Sequence, residues 1–345
     1  MTCHLAIETS CDETAASVLR DDGYVISNIV ASQIPIHARF GGVVPELASR
    51  NHLTAIGPTV ATALKDASIS YSDLSSISVT QGPGLAGCLL VGIQYAKSLA
   101  YALGIPLIPV NHIQAHIHAI FLKDDQGAGK APPQFPYLAL AVSGGHTSLY
   151  VVHSPGRCEV KGQTVDDAAG EAFDKAAKMM GLPYPGGVQI DMLSREGDAA
   201  AFAFPRPMLH KGFDFSFSGL KTALRYTLLD LDQAGKAWPM ADLAASYQEA
   251  IVDCLVKKAF KAARETGIVD LVLAGGVASN RRLRERMEQE GDRRSLRVHL
   301  TPLRYCTDNA AMVGGLGLAR REESGLVGDA LLLLDIFTTQ RPARR

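Results

Sequence analysis

The chain has 345 residues, 47% apolar and 20% charged, with a formal net charge of −1. This is ordinary globular composition and enough length for two hydrophobic cores. The near-zero charge excludes a global electrostatic signature of nucleic-acid binding but leaves room for a local basic patch; the densest runs from Arg281 to Arg304, with eight arginines against four acids.

Residues 4–9 read as a central strand ending in the polar turn 9–14. Strands at 15–19 and 24–32 follow, joined by the hairpin signal Asp21-Asp22-Gly23. Then come a helix at 47–65, a strand at 77–80, a tight turn at 81–85, a long helix of small and apolar residues at 86–103 and a buried strand at 105–110. The polar, Pro/Gly-rich stretch 124–136 reads as a linker or exposed loop. After it the pattern restarts: strand 137–142, turn 143–147, strand 148–152, hairpin turn 154–156, strand 159–165 and helix 166–181. An insertion at 182–239 precedes helix 240–266, strand 269–274, turn 275–280, a basic helix, strand 296–300 and the small-residue helix 310–320.

Set side by side, the halves repeat one topology. The expected fold is α/β: two duplicated ribonuclease H-like domains of the actin, hexokinase and sugar-kinase class, facing a nucleotide cleft. The expected ranges are 1–125, onto which part of the C-terminal helix can pack back, 137–325 with its insertion 182–239, and a tail at 326–345. Six scattered cysteines without a CxxC pair predict reduced thiols and the cytosol. Neither a signal peptide nor an apolar run of membrane length is legible, so a soluble cytoplasmic protein is expected.

His112 and His116 stand four apart after a strand, which on a helix offers two imidazoles from one face to a metal ion. Most helical histidine pairs bind nothing, so the pair alone does not decide. Ile113 occupies the place where a zinc peptidase of this spacing needs its glutamate. Asp308, ahead of the last helix, is either an N-cap or a third ligand from the opposite half of the cleft. A His-His-Asp set leaves positions open for water or substrate and suits iron or zinc better than magnesium. Asp12 and Glu13, adjacent in the first strand-to-strand turn, are a solvated turn or carboxylates that position an ion, a water or an attacking amine, or accept a proton. Ser143-Gly144-Gly145-His146-Thr147 fills the equivalent turn of the second half, as a plain hairpin or as backbone amides open to an anion. Gly275 to Asn280 can hold a base or ribose, or cap the following helix. Asp174 is a ribose ligand or part of a solvated helix face, and an N-terminal turn explains Gly187 and Asp191 equally well.

Several of these motifs, in this order, resemble one family. Ile7 to Thr14, Gly41 to Arg50, Val110 to His116, Val142 to Thr147, Phe173 to Lys175, Tyr184 to Gly187, Phe215 to Lys221, Gly275 to Asn280 and Thr307 to Asn309 resemble the bacterial TsaD family, once described as O-sialoglycoprotein endopeptidases. The resemblance covers residue 5 to about residue 320. It implies transfer of a threonylcarbamoyl group from threonylcarbamoyl-adenylate to N6 of the adenosine 3′ of the anticodon, in tRNAs reading ANN codons, with release of AMP. It further implies His112, His116 and Asp308 as ligands of one divalent metal, iron or zinc. Ala141, Val142, Ser143, Gly144, Gly145, Asp174, Gly187, Asp191 and Asn280 would hold the adenylate, with Asp12 or Glu13 assisting the attacking amine. The implied partners are tRNA, a paralogous same-fold subunit of the TsaB type and a small P-loop ATPase of the TsaE type. Arg281 to Arg304, with the lysines and arginines of the insertion, would touch the tRNA backbone. Gln114 departs from the glutamate common in relatives, at a position that is not a ligand. A metal-dependent glycoprotein endopeptidase and a small-molecule kinase of the same fold are the alternatives.

Overall fold

The structure, a computed structural model, describes residues 2–125 and 131–339. Part of the expected linker (126–130) and of the tail (340–345) lies outside the described residues. Two units emerge. One comprises Met1–Pro132, Ser154–Arg157 and Thr307–Arg345, the other Pro133–His153 and Cys158–Cys306.

In the first unit β1 (Cys3–Glu8) is buried along its whole length, as expected for an apolar run at the centre of a sheet. β2 (Glu13–Arg20) and β3 (Val25–Ser32) complete an antiparallel meander. β4 (Leu74–Gly82) and β5 (Leu107–Asn111) join in parallel, giving the order β3-β2-β1-β4-β5. Parallel pairing requires crossovers, and the helices Pro45–Asp66 and Ala86–Leu103 supply them. Ile56, Val60, Ile93 and Ala96 from these helices form one core with Leu5, Ile7, Ile77 and Val79. Ala86–Leu103 is, among the described residues, the one helix with the length and hydropathy of a membrane span; its buried side belongs to this core.

The alternate residues of β1 face the helix Ala310–Ala319, which is buried from Ala310 to Gly317. Glycine permits the close seat: a Cβ at Gly314 would fall 2.3 Å from Leu19 Cδ1, and one at Gly317 would fall 1.7 Å from Ser78 Oγ. Residues 307 onward belong to the first unit, so the second unit stops short of the expected 325 and the C-terminal helix packs back onto the first sheet. The tail stays there too: Leu326 bridges Leu107, and Lys97 Nζ donates to the Leu332 carbonyl at 3.1 Å.

In the second unit β6 (Tyr137–Val142), β7 (Thr147–Ser154), β8 (Arg157–Gln163), β9 (Asp270–Ala274) and β10 (Arg297–Leu300) take the order β10-β9-β6-β7-β8. Read from the other edge, this repeats the first sheet, so the duplication of topology is real. The long helix Met240–Thr266 centres the core through Tyr247, Ile251 and Phe260. The insertion carries the helices Gly186–Leu193 and Ser218–Gln233. Asp166, expected inside a helix, instead accepts hydrogen bonds from the Ser216 and Ser218 hydroxyls, each at 2.6 Å, and from the Phe217 amide at 2.8 Å. The helix after it begins only at Ala169.

Candidate metal centre and nucleotide loops

In the first unit β5 ends at Asn111, whose side chain caps the helix His112–His118 by accepting from the Gln114 amide at 3.1 Å. The cap fixes the helix start, so His112 and His116 share a face one turn apart. Both are nearly fully buried, and their rings meet edge to face with centroids 4.7 Å apart. Asp308 Oδ1 lies 3.0 Å from His116 Nε2 and 3.6 Å from His112 Nε2. One ligand atom from each of the three residues falls within 4.8 Å of the others. Asp308, expected on the opposite half from the histidines, belongs to the same unit as both of them.

The donor set fits a metal ion. Ligand bonds of 2.0–2.2 Å at tetrahedral angles put ligand atoms roughly 3.3–3.6 Å apart, close to the spacing seen here. Behind His112, Glu8 Oε2 sits 3.2 Å and Ser10 Oγ 3.1 Å from Nδ1. That is the carboxylate–histidine arrangement which fixes the tautomer of a ligating imidazole. Glu8 is fully buried and also accepts from Thr80 Oγ1 at 2.5 Å. Burial alone would raise the Glu8 carboxyl, but the charge and hydrogen bond of His112 hold it below its ordinary range. Burial likewise opposes a charged His112, yet Glu8 and Asp308 push its pKa up to about 9. The surroundings thus favour added positive charge at this point. His116 Nδ1 is buried without a hydrogen-bond partner among the described residues. Ile113 is buried, leaving no carboxylate beside the first histidine, so the peptidase geometry is absent.

Asp12 closes the turn between β1 and β2, and Glu13 opens β2. Burial, with the Asp308 carboxylate adding to it, raises the Asp12 carboxyl. Burial and then Asp12 push Glu13 up to about 8. Glu13 Oε1 accepts from Ser32 Oγ at 2.9 Å, whereas its Oε2 is buried without a partner among the described residues.

The second unit gathers the expected nucleotide residues around β6. Ala141 and Val142 are buried inside the sheet and can offer backbone only. Ser143 turns the chain, its amide donating to the His146 carbonyl at 2.7 Å while its Oγ accepts from the His146 amide at 3.1 Å. Gly144 and Gly145 have open space where a side chain would be. The start of the helix Ala169–Met179 docks on this turn, the Gly170 amide donating to the Ser143 carbonyl at 3.2 Å. Gly275, at φ +94°, passes so close that its Cβ would lie 2.4 Å from the Val142 carbonyl oxygen.

Asp174 Oδ1 accepts from the Gly186 and Gly187 amides at 2.8 and 3.4 Å, tying that helix to the insertion. Asp191, one turn beyond Gly187, pairs with Arg195 through Oδ2 at 3.1 Å; its Oδ1 is buried without a partner among the described residues. Asn280 caps the helix Arg281–Arg294 at the Leu283 amide, 2.9 Å away, and donates to Gln248 Oε1 at 2.6 Å. Glu8, Ser10 and Thr80 were missed from sequence. The available signal was a carboxylate, Glu8, at the end of an otherwise apolar central strand.

A family model described as tRNA N6-adenosine threonylcarbamoyltransferase matches residues 24–315. The chain is 52% identical over 331 residues to a tRNA N6-adenosine threonylcarbamoyltransferase of Geotalea uraniireducens, covering 95% of this chain and 94% of that one. It is 54% identical over 335 residues to the protein of the same description from Anaeromyxobacter dehalogenans, covering 94% and 97%. Among solved structures, component A of the (R)-2-hydroxyglutaryl-CoA dehydratase of Acidaminococcus fermentans shares the fold at 13% identity and a TM-score of 0.55, over 92% of this chain and 96% of that one.

Proposed function

The chain belongs to the family of tRNA N6-adenosine threonylcarbamoyltransferases, and from that membership we propose how its own residues carry the reaction. It is a transferase that modifies tRNA. The donor in this reading is threonylcarbamoyl-adenylate, and the acceptor is N6 of the adenosine 3′ of the anticodon in tRNAs reading ANN codons. A carbon–nitrogen bond forms at the carbamoyl carbon, the bond to the phosphate oxygen breaks, and AMP leaves.

His112, His116 and Asp308 hold one divalent ion, iron in preference to zinc. When bound, the ion supplies Lewis-acid polarisation of the carbamoyl oxygen. Glu8 orients His112 and keeps its Nε2 available. In the second unit the turn at Ser143 to Gly145 takes the phosphate that departs with AMP, against the side-chain-free Gly144 and Gly145. Asp174, Gly187, Asp191 and Asn280 border the place for the rest of the adenylate. Asp12 or Glu13 orients the amine and takes its proton; burial and then Asp12 push Glu13 up to about 8, and its Oε1 is held by Ser32. A same-fold paralogue and a small P-loop ATPase complete the working assembly. The six free cysteines support a cytoplasmic setting.

The observation that carries this reading is the buried His112–His116–Asp308 set backed by Glu8. His112→Ala, His116→Ala and Asp308→Ala should each lower bound metal and slow single-turnover transfer to tRNA by about a hundredfold or more. Metal analysis of the purified variants and transfer assays with the partner proteins check this. Full transfer by all three variants would overturn it.

A further inference from the structure

The basic run Arg281–Arg304 looked from sequence like the surface for tRNA. In the structure its charges are already engaged. Arg281 pairs with Glu285 at 2.5 Å and Arg282 with Glu249 at 2.7 Å. Arg286 bonds Glu249 as well as Asp253, the latter at 3.2 Å. Arg293 and Arg294 share Glu290 at 2.7 and 2.8 Å, and Arg297 holds Asp270 at 2.5 Å. Arg284 is bound to the carbonyls of Ala278 and Thr301. An arginine bound to a carboxylate releases few counterions on meeting a phosphate, so this stretch is a poor source of tRNA affinity.

The helix Ser218–Gln233 in the insertion is different. Leu220, Leu224 and Leu228 form its buried stripe. The opposite face presents Lys221, Thr222, Arg225 and Tyr226, all exposed, with Tyr226 at 63%. Among the described residues neither Lys221 nor Arg225 has a carboxylate partner. These four, with Ser218, Asp167 and Lys175, line a hollow of about 280 Å³. Lys175 is held there by Asp167 and Glu171, each at 2.7 Å, so the uncompensated charge is that of Lys221 and Arg225. The end of this helix is not the attraction, because Asp166 already occupies the Phe217 and Ser218 amides.

Two unpaired cations, two hydroxyls and an exposed ring on one helix face match a strand that carries phosphates and splayed bases. We infer that the face formed by Lys221, Thr222, Arg225 and Tyr226 docks the substrate tRNA, the cations on its phosphodiester backbone and Tyr226 against an unpaired base. The inference rests on the tRNA-modifying reading above and adds the surface to it.

The test uses the full-length chain and unmodified tRNA reading an ANN codon, with affinity measured across a salt series. The double variant Lys221→Gln/Arg225→Gln should bind more weakly, with the slope of log affinity against log salt shallower by about 1.4–1.8 for two lost phosphate contacts. Tyr226→Ala should weaken binding about tenfold at unchanged slope, and Tyr226→Phe should restore it. Arg293→Gln/Arg294→Gln, removing as many cations from the engaged stretch, should leave the slope alone. If the glutamine pair melts early, the charge-keeping pair Lys221→Arg/Arg225→Lys takes its place and should keep the parental slope. Parental affinity and slope in the glutamine pair, or a loss confined to Arg293 and Arg294, overturns the surface. The two readings fail separately. A parent chain that transfers normally while the glutamine pair binds normally sinks the surface alone, whereas a parent that binds tRNA and transfers nothing sinks the chemistry alone.

Discussion

Glu8 Oε2 lies 3.2 Å from His112 Nδ1, on the side of the ring away from Asp308, which sits 3.6 Å from Nε2. The imidazole is thus held between a buried carboxylate and a candidate ligand of the same ion. The outer carboxylate takes the hydrogen bond of Nδ1, which directs Nε2 toward the other two candidate ligands and raises its donor strength toward a metal.

Glu8→Gln keeps the shape and removes the charge. Metal affinity should fall by about 10- to 100-fold, the usual cost of losing such an outer partner. Titration of metal-stripped protein measures this without any tRNA. Equal affinities for parent and variant would count against the arrangement.

Gly275 sets up a paired comparison. Gly275→Ala puts a Cβ on the Val142 carbonyl at a φ of +94°, a clash and a strained backbone together worth about 1–3 kcal/mol. Denaturant melts should show that loss, and AMP should bind more weakly because Val142 leads into the turn proposed for its phosphate. Gly276→Ala, whose Cβ meets open space, should keep the parental stability.

Asp166 predicts an acid dependence. Burial would raise its carboxyl, but the hydroxyls of Ser216 and Ser218 and the amides of Phe217 and Ser218 outweigh it and hold the pKa below the ordinary range. A depressed carboxylate binds fewer protons folded than unfolded. Its stabilising contribution is therefore complete above the unfolded value of about 3.9 and is lost as pH falls through the folded value. Asp166→Asn should be less stable than the parent at neutral pH, and the gap should close below about pH 4. Chemical melts of both proteins at several pH values follow the gap; a constant gap would remove Asp166 from this role.

Much of the fold was legible because periodicity is local. The apolar run of β1, the Asp21-Asp22-Gly23 hairpin and the restart at Tyr137 each stand in a few neighbouring residues. The His112–His116 spacing and the glycines at 144, 145 and 275 were readable for the same reason. What escaped depended on distant partners. Arg282, Arg286 and Arg297 look like a free basic patch because their partners Glu249, Asp253 and Asp270 stand well before Arg281 in the chain. The helix Ala310–Ala319 is apolar all round and so names no sheet as its own. Only the fit of Gly314 and Gly317 against Leu19 and Ser78 assigns it to the first unit.

That assignment has a consequence for biosynthesis. Residues 133–306 supply the second unit almost without interruption, so its core can assemble while the chain is still being translated. β1 leaves the ribosome long before the helix that covers one of its faces. A nascent or truncated polypeptide ending before Thr307 has both histidines and no Asp308. Assembly of the three-residue set therefore waits for the segment that carries Asp308, long after both histidines have been made.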